Sequence, residues 1–394
     1  MRLAIVASHP IQYHAPLFRE LARRLDLTVF YAHRATQADQ ARAGFGVGFD
    51  WDTDLFSGYR NFFLKNLAKR PGLDHFFGCD TPEIAERLRE NRFDVLLVPG
   101  WHLKAYLQVL FAAKRLGLPV LARGDSHLDT PRSRLKKAVK AAVYPGLLRL
   151  FDGALYVGKR SQAYWRHYGY PAERLFFSPH CVDTEWFGAR ATPEARHKLR
   201  ARLGLPDGAK VMLFAGKLEP KKRPLDLVAA AALLKREGHQ ISILVAGAGL
   251  LEKEVSAAAI AAGIPLYGLG FCNQSEMPAV YAAADVLVLP SDGRETWGLV
   301  ANEALACGRP VVLSDAVGAA PDLAEDGTAG RIFPVGAVRA LADAMSDLIA
   351  HPPPREAIVA KSQAYSLAAG AAGIEAALAK TVPATTRRAL SRLV

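Results

Sequence analysis

The stretch Glu295-Thr296-Trp297-Gly298-Leu299-Val300-Ala301-Asn302-Glu303-Ala304-Leu305-Ala306-Cys307-Gly308-Arg309-Pro310 decides how the chain is read. Just before it, Asp285-Val286-Leu287-Val288-Leu289-Pro290 is a short apolar run with β-branched residues closed by Pro, the pattern of a buried parallel strand. From Gly298 the spacing of Leu299, Ala301, Leu305 and Ala306 is helical, and Gly308 and Pro310 stop it. Glu295 therefore falls before a helix and Glu303 inside its second turn. A helix that starts at a strand exit offers free N–H groups on the ligand side of an open α/β sheet, and a phosphate suits them. A diphosphate there would have one carboxylate on either side, one for the hydroxyls of a sugar and one for those of a ribose. An ordinary amphipathic helix with a solvated Glu at each end is the competing reading.

Outward from this stretch, strands and helices alternate. In the second half the spacing predicts strands at 210–215, 241–246, 265–268, 285–290, 311–314 and 331–333. In the first half it predicts strands at 3–7, 27–31, 95–98, 119–122, 154–157 and 175–177, with helices at 16–25, 82–91, 103–116, 132–150 and 161–168. Residues 40–80 show no clear period and read as a long irregular excursion, and Pro145 is expected to interrupt the helix at 132–150. Such alternation means an α/β fold with parallel sheets covered on both faces. At 394 residues, two such units of similar size each bury a core, with a charged helical linker at 193–203 between them.

Composition narrows the class. Hydrophobic residues are 51% and charged residues 22%, which is globular. No apolar run is long enough to span a bilayer, and the apolar start at 1–7 is too short for a signal peptide, so a cytoplasmic protein is expected. Cys79, Cys181, Cys272 and Cys307 are scattered, which signals neither a disulfide framework nor a zinc site. The first strand runs into Ser8-His9-Pro10-Ile11-Gln12-Tyr13-His14 with no glycine, which argues against a dinucleotide-binding fold. A formal charge of +12 draws anions: nucleic acid, phospholipid headgroups or phosphorylated small molecules.

Glu295, seven residues, Glu303 and the Ala306-Cys307-Gly308-Arg309-Pro310-Val311 ending resemble the signature of the retaining nucleotide-sugar glycosyltransferases of group 1 (family 4), with Trp297 where that family usually has Phe. The resemblance implies a GT-B fold: two doubly wound domains facing across a cleft, an acceptor-binding domain at 1–185, a donor-binding domain at 186–354, and a helical tail at 355–394 that packs partly on the first domain. It also implies that Glu295 contacts the donor sugar, Glu303 the ribose, and the amides near Gly298 and Leu299 the diphosphate. Gly216-Lys217-Leu218-Glu219-Pro220-Lys221-Lys222-Arg223 resembles the family's Gly-Arg-Leu stretch with a following Lys, which puts Lys217 and Lys222 on the diphosphate. Lys217 stands where the family has Arg, so a bidentate fork is lost there. Gly270-Phe271 resembles the segment lining the nucleobase, while a core role for Phe271 competes with it. Ser178-Pro179-His180-Cys181-Val182-Asp183 resembles the hinge, with His180-Cys181 replacing Asn-Gly.

In the first domain, Arg123-Gly124-Asp125-Ser126-His127 follows a strand end where relatives often carry His-Asp. Counting from Pro119 puts Asp125 at the His position, leaving Asp125 and His127 both as catalytic candidates. His9, His14 and His102 occupy comparable loop ends and suggest a polar acceptor side. No carboxylate cluster marks a metal site and no cofactor is implied, since the nucleotide sugar is a co-substrate. The expected activity is sugar transfer from a nucleotide donor to a glycan or lipid-linked acceptor. An epimerase of the same fold, or a silent sugar-nucleotide or nucleic-acid binding module, are the alternatives, and no helix-turn-helix or base-stacking motif favours the last. Arg132, Arg134, Lys136, Lys137 and Lys140 interleave with Leu135, Val139 and Val143, so this run reads either as a helix at an anionic inner-leaflet surface or as a solvated one. Arg387, Arg388 and Arg392 close the tail.

Overall fold

The computed structural model describes residues 1–41, 48–206 and 208–382; Arg387, Arg388 and Arg392 lie outside them. Two all-parallel sheets carry the chain. The first is built from β1 (Arg2–Ala7), β2 (Asp26–Tyr31), β3 (Arg60–Phe63), β4 (Val95–Val98), β5 (Val120–Gly124), β6 (Gly153–Tyr156) and β7 (Leu175–Phe177), in the order β3-β2-β1-β4-β5-β6-β7. The second is built from β8 (Lys210–Ala215), β9 (Ile241–Ala246), β10 (Leu266–Gly268), β11 (Val286–Leu289), β12 (Val311–Ser314) and β13 (Gly330–Phe333), in the order β10-β9-β8-β11-β12-β13. Each sheet starts at its centre, winds outward to one side, then returns to the other. The reversals fall between β1 and β4 (Leu3 opposite Val95) and between β8 and β11 (Met212 opposite Val286). Such switch points open a crevice at the carboxyl ends of the strands, which fixes where ligands go.

Because helices cover both faces, the central strands are apolar throughout; Val286, Leu287, Val288 and Leu289 are all buried. One face of the second sheet is sealed by Phe187, Leu199 and Tyr281, the other by Leu227, Leu234 and Leu341. The helices Thr184–Arg190 and Pro193–Leu203 belong to this second core through Phe187 and Leu199. Near the C-terminus the chain divides its loyalty. Ile358 of the helix Arg355–Gln363 packs into the second core, whereas Ala371, Ile374, Ala377 and Leu378 of the helix Leu367–Thr381 pack against Leu17, Leu21 and Leu121 of the first. The two connections between the sheets touch at Val182 and Ser366.

Two expectations about elements need correction. Residues 60–63, within the supposed irregular excursion, form edge strand β3, paired with β2 from Thr28↔Arg60 to Tyr31↔Phe63. The run Arg60-Asn61-Phe62-Phe63 does not alternate polar with apolar residues, although its burial alternates in the strand, and Phe30 stacks on Phe62 at 5.9 Å. The helix Arg134–Leu148 runs unbroken through Pro145. The carbonyl that loses its donor lies four residues back at Ala141, an exposed residue open to solvent.

Candidate functional site

At the β8/β11 switch point, two loops meet. The turn after β8 tightens into a short 3-10 segment, Pro220–Lys222, and the loop after β11 is tied to it by Asp292 N–H donating to the Lys221 carbonyl at 2.8 Å. Lys222 Nζ and Glu295 Oε2 form an ion pair, each side chain only about 15% exposed (14% and 15%). Lys217 lies in the same turn, and burial together with Lys221 and Lys222 lowers its pKa. This turn lies hard against the one after β9: a Cβ on Gly247 would sit 2.0 Å from the Gly216 carbonyl oxygen, so only glycine fits. The Gly247 N–H in turn donates to the Gly270 carbonyl at 2.7 Å, which links the exits of β9 and β10. The sequence thus grouped Gly216, Lys217, Lys222, Glu295 and Gly270 at one end of one sheet, and the fold brings them there.

Gly298, at φ +97°, turns the chain into the helix Leu299–Ala306. Glu303, on the second turn, is 2% exposed and accepts a hydrogen bond from Tyr281 at 2.5 Å and a long one from Gln274 at 3.5 Å. Tyr13, from the loop after β1 in the first domain, also hydrogen-bonds it. Burial pushes the Glu303 carboxyl up to about 7, and these three bonds hold it below what burial alone would give. Burial, with Glu303 beside it, pushes the Tyr13 phenol well above its ordinary range. A cavity of about 270 Å³ runs from Gly216, Lys217 and Lys222 past Gly247 and Ala248 to Phe271 and Cys272, and is also lined by Glu303, Val300, Tyr13 and Trp51.

Trp297 is a correction. Its side chain is 4% exposed and faces the joint between the domains, 5.6 Å from the His180 ring and 6.0 Å from that of Tyr365. Its indole N–H donates to Asn302 at 2.8 Å, and Asn302 donates to the His180 carbonyl at 3.2 Å. The ring also lies over Gly158 of the first domain, where an added Cβ would come within 2.4 Å of it, so the indole fills the joint and does not line the cavity.

The first-domain candidates separate. Asp125 accepts from the Thr296 hydroxyl at 2.6 Å, next to Glu295, and lies 3.7 Å from His180 Nε2. Burial opposes its ionisation, but His180 and Thr296 outweigh it and hold the carboxyl well below the usual range. His127 is fully buried beside Asp129 at 3.7 Å and Thr130 at 3.4 Å, away from the cavity. Asp125, through Thr296, is therefore the member of that pair that meets the second domain. His9 pairs with Ser8 at 2.9 Å, His14 borders a small void with Arg123 and Pro99, and His102 packs on Tyr106 at 5.4 Å; none of the three lines the larger cavity. Burial lowers all three, His9 to about 4 and His14 to about 3. The sequence passed over Tyr13, Gln274, Tyr281, Trp51 and the cleft contact of His180. Tyr13 follows β1, itself a ligand-side position; nothing local distinguishes the others.

Residues 195–365 match the family model "Glycosyl transferases group 1". Among curated proteins, the chain is 37% identical over 180 residues to a D-inositol 3-phosphate glycosyltransferase of Streptomyces bingchenggensis (strain BCW-1), covering 43% of this chain and 38% of that one. It is 34% identical over 255 residues to the protein of that name in Arthrobacter sp. (strain FB24), covering 61% and 59%. The chain thus spans about two fifths to three fifths of these relatives' length. Among solved structures, Anabaena Alr3699/HepE in complex with UDP superimposes with a TM-score of 0.72 at 19% identity, over 96% of this chain and 100% of that one, and gives the fold as GT-B.

Proposed function

We propose that this chain, whose residues 195–365 match the model of the glycosyl transferases group 1 family, transfers a sugar from a nucleotide donor to a hydroxyl acceptor in the cleft between its domains. The carrying observation is the Lys222–Glu295 ion pair at the β8/β11 switch point, beside Lys217 and at one end of a cavity that Glu303 also lines. Lysines and helix amides there suit a departing diphosphate, whose developing charge they stabilise, and the reading needs neither a metal nor a cofactor. Glu295, freed from Lys222 as the diphosphate arrives, is placed to hold donor-sugar hydroxyls, and Glu303 the ribose. Asp125 reaches the same point from the first domain through Thr296. Retention at the anomeric carbon comes with the resemblance of the Glu295 to Glu303 signature. UDP is the first donor nucleotide to test, since the structural neighbour binds it.

A glycan or lipid-linked acceptor is favoured by one surface feature. On the helix Arg134–Leu148, Leu135, Val139 and Val143 are 74%, 53% and 52% exposed at i, i+4, i+8 spacing, flanked by Arg134, Lys136 and Lys137. Such a face suits an anionic membrane surface. Two of the five cations are otherwise engaged: Lys140 donates to Tyr164 at 2.8 Å and sits over the Tyr144 ring, and Arg132 reaches the His127 and Thr130 carbonyls at 3.4 Å. Wild type should sediment with anionic but not neutral vesicles, and lose this when Arg134, Lys136 and Lys137 become Gln; binding indifferent to lipid charge removes the membrane surface.

A thermal-shift screen against UDP-, GDP- and ADP-sugars tests the donor reading, because a ligand of the folded state raises apparent stability. Nucleoside diphosphate release that requires an added acceptor then supports transfer. Donor conversion without acceptor would identify an epimerase instead.

A further inference from the structure

The loop that leaves β2 is held by the other domain. Asn273 Nδ2 donates to the Asp50 carbonyl at 2.9 Å, and the Asp52 N–H returns a longer bond to Asn273 Oδ1 at 3.4 Å. Ser275 N–H lies 3.2 Å from both carboxylate oxygens of Asp52, and the Ser275 hydroxyl donates to the same carboxylate. The Phe49 ring lies over Phe271 with centroids 4.1 Å apart, and Trp51 meets Phe49 edge-on at 4.8 Å. Residues 49–52 of the first domain are thus strapped across the cleft onto the loop after β10.

Strand order says what lies beneath that strap. The cavity follows the carboxyl ends of β11, β8, β9 and β10 in turn, with lysines at the β8/β11 end and Phe271, Cys272 and Met277 at the β10 end. Adjacent strands are about 4.8 Å apart, so the cationic and aromatic ends are separated by roughly 10–14 Å. A nucleoside diphosphate has the matching layout: anionic at one end, a flat ring at the other, a diol between them where Glu303 stands. Trp51 lines this same cavity.

We propose that the strap is a nucleobase clamp, in which Trp51 supplies a first-domain wall against the donor's base and Asp52 positions it by its bonds to Ser275. The inference rests on the nucleotide-sugar reading and deepens it: the first domain then helps to bind the donor, and base binding and closure of the cleft become one event. A sugar-nucleotide site confined to the second domain would not need the first domain in this way.

The test is UDP binding by calorimetry to the full chain. Trp51→Ala should weaken UDP by about tenfold or more, the scale of losing one base–aromatic stack, with the unliganded melting temperature unchanged. Trp51→Phe should keep most of the affinity but lose the tryptophan quenching expected when UDP binds the wild type. Asp52→Ala, which removes the Ser275 bonds of the strap without touching the ring, should weaken UDP by a smaller factor. Wild-type affinity in Trp51→Ala, or quenching retained in Trp51→Phe, overturns the clamp and leaves the donor reading standing. If the wild type binds none of UDP, GDP and ADP, the donor reading fails and the clamp with it.

Discussion

The two walls of the cleft arise from the same topological step and are furnished in opposite ways. At the β8/β11 reversal, the second domain presents Lys217, Lys222 and Glu295, charged groups set against one another on turns locked by glycine. At the β1/β4 reversal, the loop ends of the first domain carry His9 and His14, which burial keeps neutral at pH 7 and which stand back from the cavity, and a buried Arg123 whose guanidinium is spent on Ser178 and the Pro179 carbonyl. Asp125 is a carboxylate that this wall extends to the other, as Asp52 does further along. Cationic side chains at a strand exit suit a polyanion, whereas neutral imidazoles at loop ends offer only uncharged donors and acceptors. The shared fold therefore says little about chemistry, and the difference in furnishing says most of it.

The sharpest way to break this contrast is Lys222→Ala. If the second wall stabilises a departing diphosphate, turnover should fall by roughly a hundredfold or more with every acceptor tried, by analogy with the loss of one oxyanion donor. Steady-state kinetics with two acceptors reads this directly, and unchanged turnover would return Lys222 to the role of a surface ion pair. Next in size is Trp297→Ala, which belongs to neither wall. Removing a buried indole packed between His180 and Tyr365 should cost about 3–5 kcal/mol of stability. Urea unfolding would show it as a lowered midpoint; a midpoint within error of the wild type would mean that the joint does not depend on this contact.

These variants also mark how far the sequence could be read. The second wall was legible because its chemistry is local: strand, turn and helix follow within about twenty residues, and Lys222, Glu295 and Glu303 each sit at a position that a strand exit or helix turn defines. The first wall was not. Asp125 meets Thr296, and Tyr13 meets Glu303, only because two separately folded sheets are brought face to face, and no periodicity encodes that. Trp297 misled for the same reason, since a residue next to a phosphate-type turn looks like a ligand contact until the joint behind it is seen. Edge strand β3 escaped because Arg60-Asn61-Phe62-Phe63 does not alternate polar with apolar residues. The strap at 49–52 escaped because its partners lie more than two hundred residues away.

The smallest effect, and the one that sharpens the comparison most finely, is a pH dependence set where the walls touch. Glu303 has a folded-state pKa raised by burial from 4.5 to about 7, so the unliganded fold favours its protonated form. Its contribution to stability is fully present below pH 4.5 and is lost as the pH rises through about 7, as the wild-type side chain must ionise in a buried site. Glu303→Gln has no such proton to lose, so its melting temperature relative to wild type should rise between pH 5 and pH 8. A ribose diol donating to the ionised carboxylate shifts the balance the other way and lowers the pKa in the complex. UDP affinity of the wild type should then fall as the pH drops below 7, by at most about tenfold per unit, beyond any fall shown by Glu303→Gln, in which the titrating group is gone. Calorimetric titrations at pH 5.5, 6.5 and 7.5 on both proteins give the comparison. Parallel pH profiles would mean that the ribose does not engage Glu303, and that Tyr13 and Tyr281 keep the carboxyl for a purely structural bond between the two domains.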